Sequence, residues 1–334
     1  MSLGQQPRHR AVLGEPTVAL ANAQRPAPGP IAVLPEPDAV FAAAVESGGG
    51  TVAPLGPDTR GIVWLDYRRA SELATVLREN PQIGWVQLPW AGVDGFAEVM
   101  RSEHRDGLLW TSAKGAYAQP VAEHALALSL ALLRFLPRRI RATSWDDRPD
   151  GVSLFGLRVV IVGAGGIAIE LLRLLQPFRA HVTIVRRSGE PLPGADATVP
   201  SEALHRVLPH ADLVVVAAAL TGATLGLFGA REFELMPETA YFVNVARGGV
   251  VVTDDLVHAL HRHTIAGAAV DVTVPEPLPD GHPLWSAPNV IVTPHMADTP
   301  TMTAPLLAER IRLNVQAFLG DARFVGVVDP ERGY

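Results

Sequence analysis

The sequence predicts an α/β protein with two parallel sheets, each covered by helices. Two observations support this fold class. From about residue 30 onward, short runs of apolar and β-branched residues alternate with segments of helical period. In the middle of the chain, a strand, a glycine-rich turn and a helix follow one another directly at RVVIVGAGGIAIELLRLL (158–175). The length of 334 residues exceeds one average domain and suits two.

The first set of elements predicts a small parallel sheet. Its strand candidates are IAVLP (31–35), GIVWL (61–65), IGWVQL (83–88) and GLLWTS (107–112). A helix is predicted at ASELATVLREN (70–80), where apolar residues recur at helical spacing. One long helix is then predicted from Pro120 to about Arg141, because proline is well suited to the first turn of a helix.

The second set predicts a complete dinucleotide-binding domain with six strands in a doubly wound parallel sheet. Its strand candidates are LRVVIVGAGG (157–166), HVTIV (181–185), ADLVVVAA (211–218), AYFVNVA (240–246), IAGAAVDV (265–272) and NVIVTP (289–294). An amphipathic helix (304–320) and a strand-like run (323–329) follow, too few elements for a domain of their own. We therefore expect them to pack on the first set and make the smaller domain discontinuous.

The predicted boundaries follow from these two sets. The smaller, substrate-binding domain is expected to comprise residues 28–116 and 297–334, and the dinucleotide-binding domain residues 117–296. Residues 1–27 are rich in Ala, Pro, Gly and Gln and lack the apolar core of a signal peptide. They are interpreted as a lead-in, either flexible or packed along the smaller domain.

Composition excludes several classes of function. The net charge of −6 without a run of Lys or Arg argues against a nucleic-acid partner. The absence of cysteine excludes disulfides, thiol nucleophiles and Cys-ligated zinc. The only lysine, Lys114, follows no P-loop pattern. The best apolar run, ALALSLALLRFL (125–136), is too short to span a bilayer, so we expect a cytoplasmic protein without membrane contact.

The histidine-rich run HALHRH (258–263) does not predict a metal site. His258 and His261 share one helical face, but no third ligand or acidic residue is arranged with them. A solvated helix end explains the run, and no metal cofactor is expected.

The glycine turn predicts a Rossmann-type cofactor site. The pattern is Gly163-x-Gly165-x-x-Ala168. The first glycine permits the tight turn, the second lets the backbone approach a pyrophosphate, and the alanine allows close helix packing. Glycine-rich turns also occur for packing alone, but here a strand precedes and a helix follows, as the fingerprint requires.

The end of the next strand selects between the two nicotinamide cofactors. NAD-binding proteins carry an acid there for the ribose hydroxyls, but HVTIVRRSGE (181–190) has Arg186 in that place, followed by Arg187 and Ser188. A guanidinium group suits the extra phosphate of NADP. We therefore predict NADP(H) as the preferred cofactor, with NAD(H) possible. The alternative is a pair of solvated arginines, with Glu190 acting as the acid.

Polar residues beyond three later strands predict the chemistry. Arg247 follows AYFVNVA, Asp271 ends the next strand and is followed by Glu276 between prolines, and His295 follows NVIVTP. Ligands of doubly wound sheets bind at these strand ends. An arginine to bind an anion, a histidine to donate a proton and a glutamate to keep it protonated suit reduction of a ketone beside a carboxylate. Taken singly, each residue also has a plain structural explanation.

The order and spacing of these motifs resemble the D-isomer-specific 2-hydroxyacid dehydrogenase family. The resemblance rests on VVIVGAGGIA, VNVARGGVV, AAVDVTVPEPL and HPLWSAPNVIVTPHMA, with LPWAGVDGF and PVAEHALALSLALLR, and it covers about residues 60–320. It implies a two-domain protein, with a flavodoxin-like smaller domain and the active site in the cleft between the domains. It also implies that Arg247 binds the substrate carboxylate and keto oxygen, that His295 is the general acid/base, and that Glu276 is its partner.

The resemblance implies roles for further residues. Trp90, Ala91 and Gly92 would line the substrate-carboxylate loop, and Asp271 would hold the nicotinamide carboxamide. The remaining cofactor contacts would be Gly166 and Ile167 at the pyrophosphate, Val245 and Ala246 at the nicotinamide ribose, and Ala219 and Thr224 at the adenosine. Departures from the family pattern are Ala168, Ala219, Arg186 and Asp298, and Arg186 resembles the NADPH-preferring glyoxylate/hydroxypyruvate reductase branch.

The sequence therefore predicts NAD(P)H-dependent reduction of a small 2-oxo acid, such as glyoxylate or hydroxypyruvate. One alternative is an NAD-dependent 2-hydroxyacid dehydrogenase of the phosphoglycerate type. Another, of a different class, is a nucleotide-sensing interaction protein similar to a corepressor. The apolar helix at LALSLALLR (126–134) is expected to form both core and dimer interface, and a homodimer is predicted.

Overall fold

The computed structural model describes residues 17–21, 24–145 and 147–330. The chain divides into two compact units. Unit 1 comprises Met1–Tyr117 and Thr299–Tyr334, and unit 2 comprises Ala118–Asp298.

Unit 1 contains a four-stranded parallel sheet in the order β2-β3-β4-β5. Its N-terminal elements are β1 (Val18–Ala19), β2 (Ile31–Leu34), α1 (Ala39–Ser47), β3 (Gly61–Trp64), α2 (Ala70–Glu79), β4 (Trp85–Gln87), α3 (Ala97–Ser102) and β5 (Leu109–Thr111). Val52 forms a parallel bridge with Ile31 on the free side of β2. Counting this bridge as the second strand, the spatial order is 2-1-3-4-5, which is the flavodoxin-like order.

Unit 2 contains a seven-stranded sheet in which every neighbouring pair is parallel. Its elements are α4 (Ala118–Leu133), α5 (Leu136–Arg141), β6 (Arg158–Val162), α6 (Gly166–Leu175), β7 (His181–Arg186), β8 (Ala197–Pro200), α7 (Leu204–Val207), β9 (Leu213–Val216), α8 (Ala230–Leu235), β10 (Tyr241–Asn244), α9 (Thr253–His261), β11 (Gly267–Val270) and β12 (Val290–Val292). The order β12-β11-β10-β9-β6-β7-β8 is that of the Rossmann fold with one additional strand. The predicted fold class, with its doubly wound parallel sheet, is confirmed.

The prediction of six strands in this sheet was wrong, because β8 is a seventh. The missed strand, ATVP, lies at the sheet edge, pairs only with β7, and no residue in it is buried. An edge strand that buries neither face needs no apolar run, and its last residue is Pro200, which is tolerated at an edge. The apolar pattern used to find the other strands was therefore absent here.

The prediction of a single helix from Pro120 to Arg141 was also wrong. The helix begins two residues earlier, at Ala118, and α4 ends at Leu133. Phe135 adopts a left-handed conformation with φ of 52°, and α5 begins after it. Pro137 in the first turn of α5 explains the break, because proline has no N–H to continue the hydrogen bonding of a preceding helix.

After unit 2 the chain returns to unit 1 with α10 (Pro300–Leu319) and β13 (Arg323–Phe324). β13 pairs with β1 in antiparallel register, Val18 opposite Phe324, so part of the predicted lead-in is a strand of this unit. Asn314 of α10 is fully buried and donates to the side-chain oxygen of Gln87 on β4 at 2.7 Å. The elements before and after unit 2 therefore share one buried hydrogen-bond network.

No helix within the described ranges is long and apolar enough to cross a membrane.

Candidate active site

The parallel register of unit 2 brings the ends of β10, β11 and β12 to one edge of the sheet. Asn244 lies beside Val270, and Val270 lies beside Val292. Arg247, Asp271 and His295 follow these strands within a few residues. The polar residues singled out in the sequence therefore emerge at the same edge, where doubly wound folds bind their ligands.

His295 and Glu276 form a direct side-chain contact. Nδ1 of His295 lies 2.7 Å from Oε1 of Glu276, and both side chains are partly exposed. The Glu276 loop is held locally, since the hydroxyl of Thr273 donates to the carbonyl of Pro275 at 2.8 Å. A carboxylate at Nδ1 accepts the proton of that nitrogen, which leaves Nε2 as the atom that can exchange a proton with a ligand.

Asp271 organises the segment that carries His295. The residue is 2% exposed, and its carboxylate accepts three hydrogen bonds. The donors are the hydroxyl of Thr293 (2.5 Å) and the backbone N–H groups of Met296 (2.9 Å) and Ala297 (3.1 Å). Nε2 of His124 lies 3.5 Å from the same carboxylate. Burial favours the neutral acid, but these donors outweigh burial and hold the pKa of Asp271 below its ordinary value.

The loop that carries Arg247 is held by the buried side chain of Asn244. Its amide nitrogen donates to the carbonyl of Arg247 at 3.1 Å, and its oxygen accepts from the N–H of Ala246 at 3.0 Å. The next residue, Gly248, lies so close to the carbonyl of Thr273 that an added Cβ would overlap it. The loops after β10 and β11 therefore approach each other more closely than a larger residue at 248 would allow.

Asp298 adds a second acid beside His295. Burial raises the pKa of this carboxyl to about 6, and the negative charge of Asp271 acts in the same direction. The charges of His295, Arg247 and His124 act in the opposite direction but do not cancel the effect of burial. Asp298, which departs from the family pattern, is thus a carboxyl group that changes charge near neutral pH.

The glycine turn has the geometry of a phosphate cradle. Gly163 has a φ of 116°, and an added Cβ would lie 2.5 Å from the carbonyl oxygen of Ala217. An added Cβ on Gly165 would meet nothing within 4 Å, so open space borders the N-terminus of α6. Gly166 and Ile167 are the first two residues of that helix. Backbone N–H groups at a helix start beside open space fit a pyrophosphate.

Arg186 is the last residue of β7, as the cofactor prediction requires. Its guanidinium donates to the carbonyl of Glu190 at 3.4 Å and lies 4.0 Å from the Glu190 carboxylate. The Arg186 side chain is 30% exposed and the Glu190 side chain 76% exposed. Arg187 and Ser188 are exposed beside it. A weak, solvated ion pair of this kind leaves the guanidinium available to a phosphate.

The other residues expected at the cofactor have well-defined positions in unit 2. The hydroxyl of Thr224 donates to the carbonyl of Ala219 at 2.7 Å and closes the loop after β9. Val245 and Ala246 are buried, 5% and 6% exposed, directly after β10. Residues this deeply buried can contact a ligand mainly through their backbone atoms.

The predicted substrate-loop residues Trp90, Ala91 and Gly92 belong to unit 1. The Trp90 ring packs edge-on against Tyr67, with centroids 5.4 Å apart, and against Tyr117 at 6.3 Å. Trp90 also accepts the N–H of Ala113 through its carbonyl at 3.1 Å. The loop is thus held by an aromatic cluster within its own unit.

Sequence reasoning missed three residues of this region, namely His124, Asn244 and Thr293. His124 lies on α4, within the motif PVAEHALALSLALLR that supports the family resemblance, but the sequence assigned it no role. Asn244 is the last residue of β10, and Thr293 directly follows β12. A single polar residue at the end of an apolar strand does not by itself predict a function. Only their placement beside Asp271 and Arg247 reveals them. Among the side chains that the structure describes, no group of three His, Cys, Asp or Glu residues is arranged to bind a metal ion.

Comparison with known proteins gives consistent matches. The family model for the D-isomer specific 2-hydroxyacid dehydrogenase, NAD binding domain, matches residues 125–297. An uncharacterized protein of Corynebacterium melassecola is 40% identical over 263 residues, which are 77% of this chain and 85% of that protein. The glyoxylate reductase/hydroxypyruvate reductase of Homo sapiens is 38% identical over 185 residues, 52% of this chain and 56% of that enzyme.

A solved structure is similar over almost the whole chain. It is a D-isomer specific 2-hydroxyacid dehydrogenase from Xanthobacter autotrophicus Py2, in complex with NADPH and MES. Its sequence is 28% identical, the TM-score is 0.77, and the match covers 92% of this chain and 100% of that chain.

Proposed function

Because the chain belongs to the D-isomer specific 2-hydroxyacid dehydrogenase family of NAD(P)-dependent oxidoreductases, we propose that it reduces a small 2-oxo acid to the 2-hydroxy acid. Glyoxylate and hydroxypyruvate are the proposed substrates. The observation that carries the proposal is the 2.7 Å contact between His295 and Glu276, at the strand edge from which Arg247 also emerges. The named human relative is a glyoxylate reductase/hydroxypyruvate reductase, which supports this substrate class.

In the proposed reaction, His295 acts as the general acid. Its imidazolium donates the Nε2 proton to the keto oxygen as negative charge develops there, while Glu276 accepts a hydrogen bond from Nδ1–H and stabilises the imidazolium before the transfer. Arg247 binds the substrate carboxylate through charge-assisted hydrogen bonds. We assign Trp90, Ala91 and Gly92 of unit 1 to the same carboxylate through their backbone N–H groups, as predicted from the sequence.

The open space beside Gly165 and the N-terminus of α6 fits the pyrophosphate of a nicotinamide cofactor. We propose that Gly163, Gly165, Gly166 and Ile167 hold this group. Ala219, Thr224, Val245, Ala246 and Asp271 are assigned to the nucleoside portions, as predicted. When bound, the cofactor supplies the hydride that reduces the keto carbon.

We propose that NADP(H) is preferred over NAD(H). The partly exposed guanidinium of Arg186 at the end of β7, with Arg187 and Ser188 beside it, suits a 2′-phosphate. Glu190 is the feature that would favour NAD(H), but its carboxylate is mostly exposed and lies 4.0 Å from Arg186. Arg186→Asp should lower the ratio of kcat/KM for NADPH to that for NADH by about 10- to 100-fold.

Arg206→Asp provides a matched control for this experiment, because it makes the same charge change on an exposed residue of α7. Its cofactor ratio should equal that of the unchanged protein. An unaltered ratio in the Arg186→Asp variant would contradict the role assigned to this arginine.

A steady-state assay tests the reaction itself. Purified protein should oxidise NADPH in the presence of glyoxylate or hydroxypyruvate, and His295→Gln should lower kcat by about 10²- to 10⁴-fold. The exposed His258 of α9 gives the control variant His258→Gln, which should retain full kcat. Absence of turnover with every 2-oxo acid would reject the reductase and favour the nucleotide-sensing alternative.

We further propose a homodimer in the cytoplasm, where an enzyme of this class has access to the nicotinamide pool. Helix α5 and the chain after it expose several large apolar side chains. Ile140 of α5 is 78% exposed, and Trp145 and Phe155, which follow the helix, are 95% and 62% exposed. Apolar exposure on this scale is typical of an interaction surface. Light scattering should give twice the mass of 35.6 kDa for the unchanged protein and a smaller mass for Ile140→Glu.

A further inference from the structure

His124 is a titratable side chain that the proposed reaction does not use. It lies on the second turn of α4, 169 residues before Thr293 in the sequence. Its Nε2 lies 3.1 Å from Oγ1 of Thr293 and 3.5 Å from Oδ1 of Asp271. The imidazole therefore contacts the start of the loop that carries His295.

The positions of the hydrogen atoms follow from counting donors. The hydroxyl of Thr293 has one hydrogen, and its oxygen lies 2.5 Å from the Asp271 carboxylate, which can only accept. The hydroxyl hydrogen therefore points to Asp271, and the Thr293 oxygen must accept from His124. Nε2 of His124 carries a hydrogen in this arrangement, whichever charge the ring has.

Asp271 in turn holds three consecutive backbone N–H groups. Its carbonyl accepts from His295 at 2.7 Å, and its carboxylate accepts from Met296 at 2.9 Å and Ala297 at 3.1 Å. These bonds matter because His295 has a φ of 53°, a left-handed conformation that costs about 1 kcal/mol or more in a residue other than glycine. Loss of the bonds would let His295 leave the orientation in which it contacts Glu276.

We propose that His124 is a positioning residue for His295, acting through Thr293 and the carboxylate of Asp271. The donor chain runs from His124 to Thr293 to Asp271 and fixes the carboxylate in the position that its backbone bonds require. This inference rests on the proposed function, since it concerns the residue proposed to donate the proton.

The test compares two substitutions of His124. Leu fills similar space without a donor, whereas Gln presents an N–H donor at the reach of Nε2. With NADPH and glyoxylate, His124→Leu should lower kcat by about 10- to 100-fold, as expected for a misplaced catalytic group, while KM changes little. His124→Gln should restore most of kcat, and His258→Leu, at an exposed position of α9, should leave it unchanged.

A double-mutant cycle tests whether His124 acts through Thr293. His124→Leu combined with Thr293→Val should be no slower than the slower single variant, because both changes interrupt the same chain. If the loss of kcat in the double variant equals the product of the two single losses, the proposal is overturned. A His124→Leu variant with full kcat would also overturn it. Should the Leu variant fail to fold, the Gln variant paired with His124→Asn, whose shorter amide cannot reach Thr293, replaces it in the comparison.

Nitrogen-15 spectra of the histidine rings distinguish failure of this inference from failure of the proposed function. If the unchanged protein reduces no 2-oxo acid, the proposed reaction is rejected. The ring signals of His295 can still be measured, because they report the hydrogen bonding of the ring and not turnover. The His295 ring signals should shift in His124→Leu and return in His124→Gln. Unshifted signals in the Leu variant would overturn the positioning role.

Discussion

Replacing Asp298 with asparagine should stabilise the fold at neutral pH. The folded protein holds the pKa of this carboxyl at about 6, against 3.8 in the unfolded chain, because burial disfavours its charge. Between pH 3.8 and about 6, the folded state therefore binds more protons than the unfolded state, and stability falls as pH rises through this window. The penalty persists at higher pH, where Asp298 is ionised in both states.

The size of the effect follows from the same pKa values. A change from 3.8 to about 6 corresponds to ~3 kcal/mol, and partial solvent access reduces this to about 1–3 kcal/mol. Asparagine has a similar shape and no charge. The Asp298→Asn variant should therefore exceed the unchanged protein in free energy of unfolding by about 1–3 kcal/mol at pH 7.5, and the difference should fall to about 0.5 kcal/mol or less at pH 4.

Urea denaturation at pH 4, 5, 6 and 7.5 measures this difference directly. Asp280→Asn is the control, because Asp280 is exposed in unit 2, and its effect should stay within about 0.5 kcal/mol at every pH. A variant that is less stable than the unchanged protein at pH 7.5, or a gain that does not depend on pH, would show that burial of the Asp298 charge does not destabilise the fold.

Three further predictions concern the site residues. Glu276→Gln should lower kcat/KM by about tenfold, because a partly exposed charged hydrogen bond to His295 contributes about 1.4 kcal/mol. Arg247→Lys should raise KM for glyoxylate by about tenfold in the same assay, since lysine cannot bind a carboxylate through a bidentate fork. Gly248→Ala should lower the free energy of unfolding in urea by about 3 kcal/mol, because the added methyl group overlaps the carbonyl of Thr273.

Each of these predictions has an outcome that contradicts it. Unchanged kcat/KM in Glu276→Gln would show that the observed contact with His295 does not serve the reaction. An unchanged KM in Arg247→Lys would show that Arg247 does not bind the substrate carboxylate. Full stability of Gly248→Ala would mean that the loops after β10 and β11 separate easily.

The cofactor cradle and the polar strand ends were predictable from the sequence. The strand, glycine turn and helix at residues 158–175 are adjacent in the chain, so their pattern is local. Arg247, Asp271 and His295 each follow an apolar strand, and parallel strands end at one edge of a sheet, so their proximity follows from topology alone. The fold class was predicted correctly for the same reason.

Features without a local pattern were not predictable. β8 lies at a sheet edge and needs no apolar run, and the helix after Ala118 breaks where Phe135 adopts a left-handed conformation before Pro137. The raised pKa of Asp298 depends on burial, which the sequence does not report.

The order of the apolar strands, the glycine turn and the set of polar residues that reach one sheet edge thus follow from the amino-acid sequence, because periodicity and topology specify these. Tertiary structure alone decided which side chains touch there. His124 meets Thr293 across 169 residues, and Asp271 binds the loop that holds His295 in a left-handed conformation. Such contacts depend on distances of a few ångströms between segments far apart in the chain, and residue patterns within a single segment do not encode them.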